Sequence, residues 1–241
     1  MSENIKNKEQ MITQLFEAGA HFAYSKSRRH PSVSPFIFGV KDNVEIFDLE
    51  KTVVLLDSAK EFVAQLAKEE KQILFVGGKH ESLGIIKETA EALEMPYVAG
   101  RWIGGTLTNF LEVRGRVNKL NDLREKKEKG LLGGYTKKER LLIDRDIEKL
   151  EKKFGGLDLM KKAPSAMFVI DSSREEIAVA EALLLGIPVI SISGSDCNID
   201  SIEYPVVAND VSIASLILIT EQIKEAYKVG KAAKAAEVAK A

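Results

Sequence analysis

Thiols and imidazoles are nearly missing from this 241-residue chain, which holds one cysteine, Cys197, and three histidines, His21, His30 and His80. A lone cysteine excludes an intramolecular disulfide framework, and so few soft ligands make a structural zinc site a poor expectation. Long apolar runs are lacking as well. No stretch approaches the roughly 18 consecutive apolar residues of a membrane span, and the polar opening at residues 1–10 lacks the charged-then-apolar plan of a secretory leader, so a cytoplasmic protein is expected. Neither GxxxxGK[ST] nor GxGxxG occurs, so the backbone nest of a nucleotide site is missing. Cys197 has no histidine partner in a shared motif, and no nucleophile–base set is readable. The reading is therefore of a protein without catalytic residues, cofactor or metal.

An excess of one charge sign is also absent, with 35 Lys and Arg against 36 Asp and Glu. Hydrophobic residues at 45% and charged residues at 29% give the balance of an ordinary globular protein. The mean hides a basic middle. Residues 101–162 carry 17 Lys or Arg against 10 Asp or Glu, an excess of seven, which leaves 18 against 26 elsewhere. A smaller basic knot lies at Lys26, Arg28, Arg29 and His30, followed by Pro31. Both segments suit phosphate.

Met11, Ile12, Leu15, Phe16 and Ala18 recur at helical spacing within a segment read as a helix over 5–22, which places His21 on its apolar end as a packed side chain. Residues 23–43 hold Pro31, Pro35 and four serines, and read as a loop. Strands are then expected at 44–49, 72–76, 97–98, 166–171, 188–192 and 204–207, with helices at 51–68, from Gly78 to Leu93, at 174–185 and from Val211 to about Tyr227. Unbroken apolar strands alternating with helices imply a parallel sheet covered on both faces, an α/β doubly wound fold.

The basic middle interrupts that alternation. Residues 111–129 and 136–154 are two charged helical stretches joined by Gly130-Leu131-Leu132-Gly133-Gly134. Phe110, Val113, Val117 and Leu120, and then Ile143, Ile147, Leu150 and Phe154, hold the seam spacing of a two-helix coiled coil. Thr136 with Glu139 forms a capping box, and Gly155-Gly156 ends the second helix. The expected organisation is a discontinuous sheet domain over 1–110 and 156–230, an inserted coiled-coil hairpin over 111–155, and a mobile low-complexity tail over 231–241.

Three segments invite a functional reading. Gly77-Gly78-Lys79 could hold an anion, but without a fingerprint it reads as a tight strand-to-helix turn, with His80 on a surface turn beside it. Asp171-Ser172-Ser173 reads as the cap of the next helix. The run Arg101-Trp102-Ile103-Gly104-Gly105-Thr106-Leu107-Thr108-Asn109-Phe110 contains the only tryptophan. Its glycines permit close backbone approach and Arg101, Thr106, Thr108 and Asn109 suit phosphate or sugar, yet Trp102 and Phe110 could equally anchor a hairpin base, with Thr108 or Asn109 as the cap. Spacing leaves both readings open.

Phe16-Glu17-Ala18-Gly19-Ala20-His21-Phe22, Arg28-Arg29 with Pro31, Pro35-Phe36-Ile37-Phe38-Gly39, Ile46-Phe47-Asp48-Leu49-Glu50-Lys51-Thr52, the Arg101–Phe110 run, Thr136-Lys137-Lys138-Glu139 and Asn209-Asp210 stand in the order of one known family. The chain resembles the bacterial small-subunit ribosomal protein S-two family over about residues 9–228. It departs at Ala23-Tyr24, where the family usually has glycine and histidine, at His30, and at Gly194 and Ile199, which replace an acid and a proline. The resemblance implies a flavodoxin-like doubly wound parallel sheet with an inserted α-helical coiled-coil hairpin, in a structural ribosomal protein. It implies 16S ribosomal RNA and neighbouring small-subunit proteins, ribosomal protein S-one among them, as partners, with neither membrane nor homo-oligomer expected. Carried onto this sequence, the RNA-binding residues are Lys26, Arg28, Arg29, His30, Arg101, Gly104, Gly105, Thr106, Thr108, Asn109, Arg114 and Arg116. The alternative from another class is a flavodoxin-like phosphate-binding or regulatory domain.

Overall fold

The computed structural model describes the backbone of residues 2–238 and the side chains of residues 6–235. Among the described residues, seven strands and seven α-helices follow in chain order. Five of the strands are the apolar runs read above: β3 (Ile73–Gly77), β4 (Tyr97–Ala99), β5 (Ala166–Ile170), β6 (Val189–Ser193) and β7 (Tyr204–Val207). All pair in parallel, in the spatial order β4-β3-β5-β6-β7. By chain order within the sheet this is second-first-third-fourth-fifth, the flavodoxin-like doubly wound order. The chain reverses its direction of growth between β3 and β5, so the switch point lies there.

Strand alternation divides the core into two layers, because successive side chains leave a strand on opposite faces. Ile73, Phe75, Phe168, Ile170, Ile190 and Val206 point to one face, where α1 (Ser2–Glu17), α2 (Leu49–Lys68), α3 (His80–Leu93) and α7 (Ile213–Val238) cover them. Leu74, Val76, Met167, Val169 and Val189 point to the other, against Trp102, Leu107, α6 (Glu176–Leu184) and the roots of α4 (Phe110–Glu128) and α5 (Lys137–Phe154). Phe75 and Phe168 sit at the same register across β3 and β5, with ring centroids 5.3 Å apart. Asp48 caps α2, its Oδ1 accepting from the Glu50 amide at 3.1 Å. Where α7 crosses α2, Gly230 lies so close that a Cβ there would stand 2.3 Å from the Ala64 carbonyl oxygen.

Five expectations need correction. Residues 23–43 are not a plain loop: two short 3-10 turns, Lys26–Arg28 and Pro31–Phe36, lead into β1 (Ile37–Lys41). β1 pairs antiparallel with β2 (Val44–Phe47), so the strand expected at 44–49 belongs to a separate hairpin and not to the parallel sheet. The two-residue turn at Asp42 (φ 51°) and Asn43 (φ 66°) is the primed type that matches strand twist, and it favours this residue pair. Helix α1 stops at Glu17 rather than running to residue 22, because Gly19 turns the chain at φ 71°. Helix α6 starts at Glu176 rather than at residue 174, and Asp171 organises the turn before it: its Oδ1 accepts from the Ser173 and Arg174 amides at 3.1 and 3.0 Å. Helix α7 continues to Val238, so residues 231–238 of the expected mobile tail are helical, and Lys234 pairs with Glu70 at 3.0 Å. Residues 239–241 lie outside those described.

α4 and α5 pack antiparallel, as the ion pairs Arg124–Glu151 and Lys127–Asp144, both at 2.7 Å, require. Thr136 forms the expected capping box with Glu139. Val113, Val117 and Phe154 join the sheet layer, whereas no residue between 121 and 146 is buried.

Candidate nucleic-acid interface

In a doubly wound sheet the ordinary ligand crevice lies beyond the carboxyl ends of the strands at the switch point. Lys79 follows β3 and Asp171 follows β5, so the two flank that crevice. Here the crevice is closed. The Lys79 ammonium sits 2.7 Å from Asp171 Oδ2 and 2.6 Å from Asp210 Oδ2, and all three side chains are at least mostly buried. Burial disfavours the ammonium, but the Asp210 and Asp171 carboxylates outweigh it and hold Lys79 above the ordinary lysine range. A lysine shared by two acids has no charge left for a phosphate. Cys197 donates to Asp171 at 3.6 Å, and burial pushes its thiol up to about 12, which keeps it protonated and inert.

The Arg101–Phe110 run wraps a single carboxylate. Glu181, on α6 and 8% exposed, accepts from the Trp102 indole at 3.1 Å and from the Gly105, Leu107 and Thr108 amides at 2.7, 2.9 and 3.1 Å. The Thr108 hydroxyl adds a fifth bond at 3.2 Å. Burial alone would raise the Glu181 pKa, but the donors from Thr108, Trp102, Gly105 and Leu107 win and lower it. Thr106 is buried and donates to the Ile103 carbonyl at 2.6 Å. Trp102 and Thr106 are thus buried at the base of α4, Gly105 is half-buried and Thr108 is exposed but bonded to Glu181, while Arg101, Gly104 and Asn109 face solvent. Asn109 precedes α4 without a side-chain cap bond.

The basic knot is partly neutralised. Arg28 donates to Asp196 at 2.9 Å and lies over the Tyr24 ring, 3.9 Å from its centroid. Arg29 donates to Glu45 at 2.8 Å, and Glu45 is fully buried with its second oxygen unpartnered. The His30 amide donates to the Ser195 carbonyl at 2.8 Å, and its ring lies 2.8 Å from the Ser32 hydroxyl. His21 lies beyond α1, packed between Phe16 and Phe22, and burial lowers its pKa. On α4, Arg114 donates to the Asp158 carbonyl at 2.9 Å and Arg116 is exposed. Lys26, Arg101 and Arg116 make no ion pair among the described residues. Sequence reasoning missed Glu181, although a lone acid inside the apolar run Ile177–Leu185 was its signal.

These features define a flavodoxin-like α/β protein whose switch-point crevice is filled by its own ion triad and whose sheet carries a rooted pair of charged helices. A family model described as ribosomal protein S2 matches residues 15–230. The small ribosomal subunit protein uS2 of Helicobacter hepaticus is 42% identical over 217 residues, 90% of this chain and 82% of that one. Those of Coprothermobacter proteolyticus and Chloroherpeton thalassium are 40% and 42% identical, covering 91% and 89% of this chain and 82% and 86% of theirs. The chain belongs to the ribosomal protein S2 family. That membership makes it a structural, non-enzymatic protein of the small ribosomal subunit, working in translation in the cytoplasm. No described helix is long and apolar enough to cross a membrane.

Proposed function

We propose that the chain binds 16S ribosomal RNA through its outward-facing cations and meets neighbouring small-subunit proteins, ribosomal protein S-one among them, as a monomer. The observation that carries this reading is the division of charge. The crevice that would serve a small anion is occupied by Lys79, Asp171 and Asp210, while the basic excess lies in residues 101–162, where Arg101 and Arg116 remain exposed and unmatched. Lys26, Arg101, Gly104, Asn109 and Arg116 then meet RNA directly. Arg28, Arg29, His30, Gly105, Thr106, Thr108 and Arg114 hold the surrounding backbone in shape, and Arg28, whose pairing is exposed, exchanges Asp196 for a phosphate at little cost. Residues 111–155 act as a coiled-coil hairpin module on a sheet domain built from 1–110 and 156–230, its seam formed by Val113, Val117, Leu120 and Ile147.

Sedimentation of tagged protein with small subunits, before and after a high-salt wash, tests the reading. Co-sedimentation that falls steeply with salt is expected, since each phosphate contact releases counterions. A protein that stays at the top of the gradient at low salt would refute it.

A further inference from the structure

Two recesses share Arg101 as a common wall. The first, about 290 Å³, lies at the carboxyl end of the sheet and is lined by Gly78, Arg101, Trp102, Arg174, Glu175 and Ile177. The second, about 430 Å³, lies where the helical pair joins β4, with Lys87, Arg101, Arg124, Lys152 and Lys153 among its walls. The acids of the second recess are already matched, because Glu91 pairs with Lys87 at 3.9 Å and Glu151 with Arg124 at 2.7 Å. Arg101, Arg174, Lys152 and Lys153 are exposed and make no ion pair among the described residues. The first recess holds one acid, Glu175, which is 5% exposed and turned against Gly78. Burial pushes its pKa up to about 7, so it opposes an incoming anion only weakly near neutrality.

We propose that Arg174, Arg101, Lys152 and Lys153 form a track for consecutive backbone phosphates of RNA, with Arg101 and Arg174 clasping one phosphate over the first recess and Lys152 and Lys153 receiving the next beside β4. The proposal rests on the RNA-binding reading and names the surface that serves it. The guanidinium fork suits a phosphate oxygen pair, and this one recess is lined by two arginines that make no ion pair among the described residues. The lysines act as point charges on a mobile stem, suited to backbone rather than base contacts. Arg174 joins the surface only through the fold, since 73 residues separate it from Arg101 in the chain.

The test uses the full-length chain and small subunits stripped of this protein, with binding followed across about 50 to 200 mM potassium chloride. Arg101→Glu with Arg174→Glu, and separately Lys152→Glu with Lys153→Glu, are compared with wild type and with Lys228→Glu, an exposed lysine on α7. Melting curves verify that each variant folds. Each double variant is expected to bind about tenfold or more weakly, and its slope of log affinity against log salt to shrink by about 0.7, the share of one single-strand phosphate. Lys228→Glu should match wild type. Track variants that keep the wild-type slope while wild type binds normally overturn the track and leave the RNA-binding reading intact, whereas a wild type that fails to bind overturns both. A parallel titration with inorganic phosphate, followed by NMR, separates the sources of the anion. Saturable phosphate binding that Arg101→Glu with Arg174→Glu abolishes, with subunit binding unchanged, would make this a small-anion site and refute the track.

Discussion

Replacing Glu181 by alanine should be among the most damaging single changes in the molecule, although the residue touches no partner. The substitution removes the acceptor of five hydrogen bonds. Two of their donors, the Trp102 indole and the Leu107 amide, are in buried surroundings, and water cannot replace the carboxylate there. An unsatisfied buried donor costs about 1–3 kcal/mol, and the three half-exposed donors recover most of their loss by hydration, so about 3–5 kcal/mol of stability should go. For a chain of this length about 1 kcal/mol shifts the melting temperature by roughly 2–4 °C, so a drop of roughly 6–20 °C is expected in calorimetry. Glu181→Gln keeps one acceptor oxygen and turns an amide group towards donors, and should fall between alanine and wild type. The pH dependence carries a sign of its own. Because the folded pKa of Glu181 is lowered, its contribution is complete above the usual glutamate value near 4.5 and is lost as pH falls through the folded value. The wild type should therefore lose more stability on acidification than Glu181→Ala does. Calorimetric midpoints within about 2 °C of each other at pH 7 would refute the argument that this carboxylate holds the base of α4.

Arg29→Ala should cost about 3–5 kcal/mol in denaturant unfolding, because it strands the fully buried Glu45, and pairing it with Glu45→Gln should recover most of that loss. Glu175 has the opposite pH sign to Glu181: its folded pKa is raised to about 7, so its cost grows as pH climbs from about 4.5 to 7 and stays constant above. Glu175→Gln should stabilise the protein at pH 8 by up to about 3 kcal/mol and leave pH 4 stability nearly unchanged, as chemical denaturation at the two values would measure. Gly230→Ala should destabilise by about 1–3 kcal/mol despite alanine's better helix propensity, since its Cβ would meet the Ala64 carbonyl oxygen; an unchanged or raised melting temperature would show that α2 and α7 can separate freely.

What the sequence revealed and what it hid divide along one physical line. Local patterns were legible: the five apolar runs became the parallel sheet, Thr136 and Glu139 capped α5, and the glycines at 130–134 joined the two charged helices. The β1–β2 hairpin was hidden by its setting among prolines and serines, although Asp42-Asn43 between two apolar segments was a local signal for it. Pairings across long separations were not legible at all. Lys79 reads as a free cation until folding brings Asp210 within 2.6 Å, 131 residues along the chain. Arg29 reads as part of a phosphate-seeking knot until Glu45 takes it. Within the Arg101–Phe110 run the anchoring reading falls to Trp102, Thr106 and Thr108, while Arg101, Gly104 and Asn109 are left exposed.

The bonding of the α4 base to one carboxylate also has a mechanical consequence. With 19 residues at about 1.5 Å each, α4 is an arm of about 28 Å, and its inner end is clamped to α6 through Glu181. A pivot of about 5° at the clamp would swing the far end by about 2.5 Å, close to the length of a hydrogen bond. Stiffness at the fulcrum therefore sets the precision with which the charged tip meets whatever lies opposite. An acid buried beneath Trp102 governs aim at a distance, and softening it would blur contacts made by side chains it never touches.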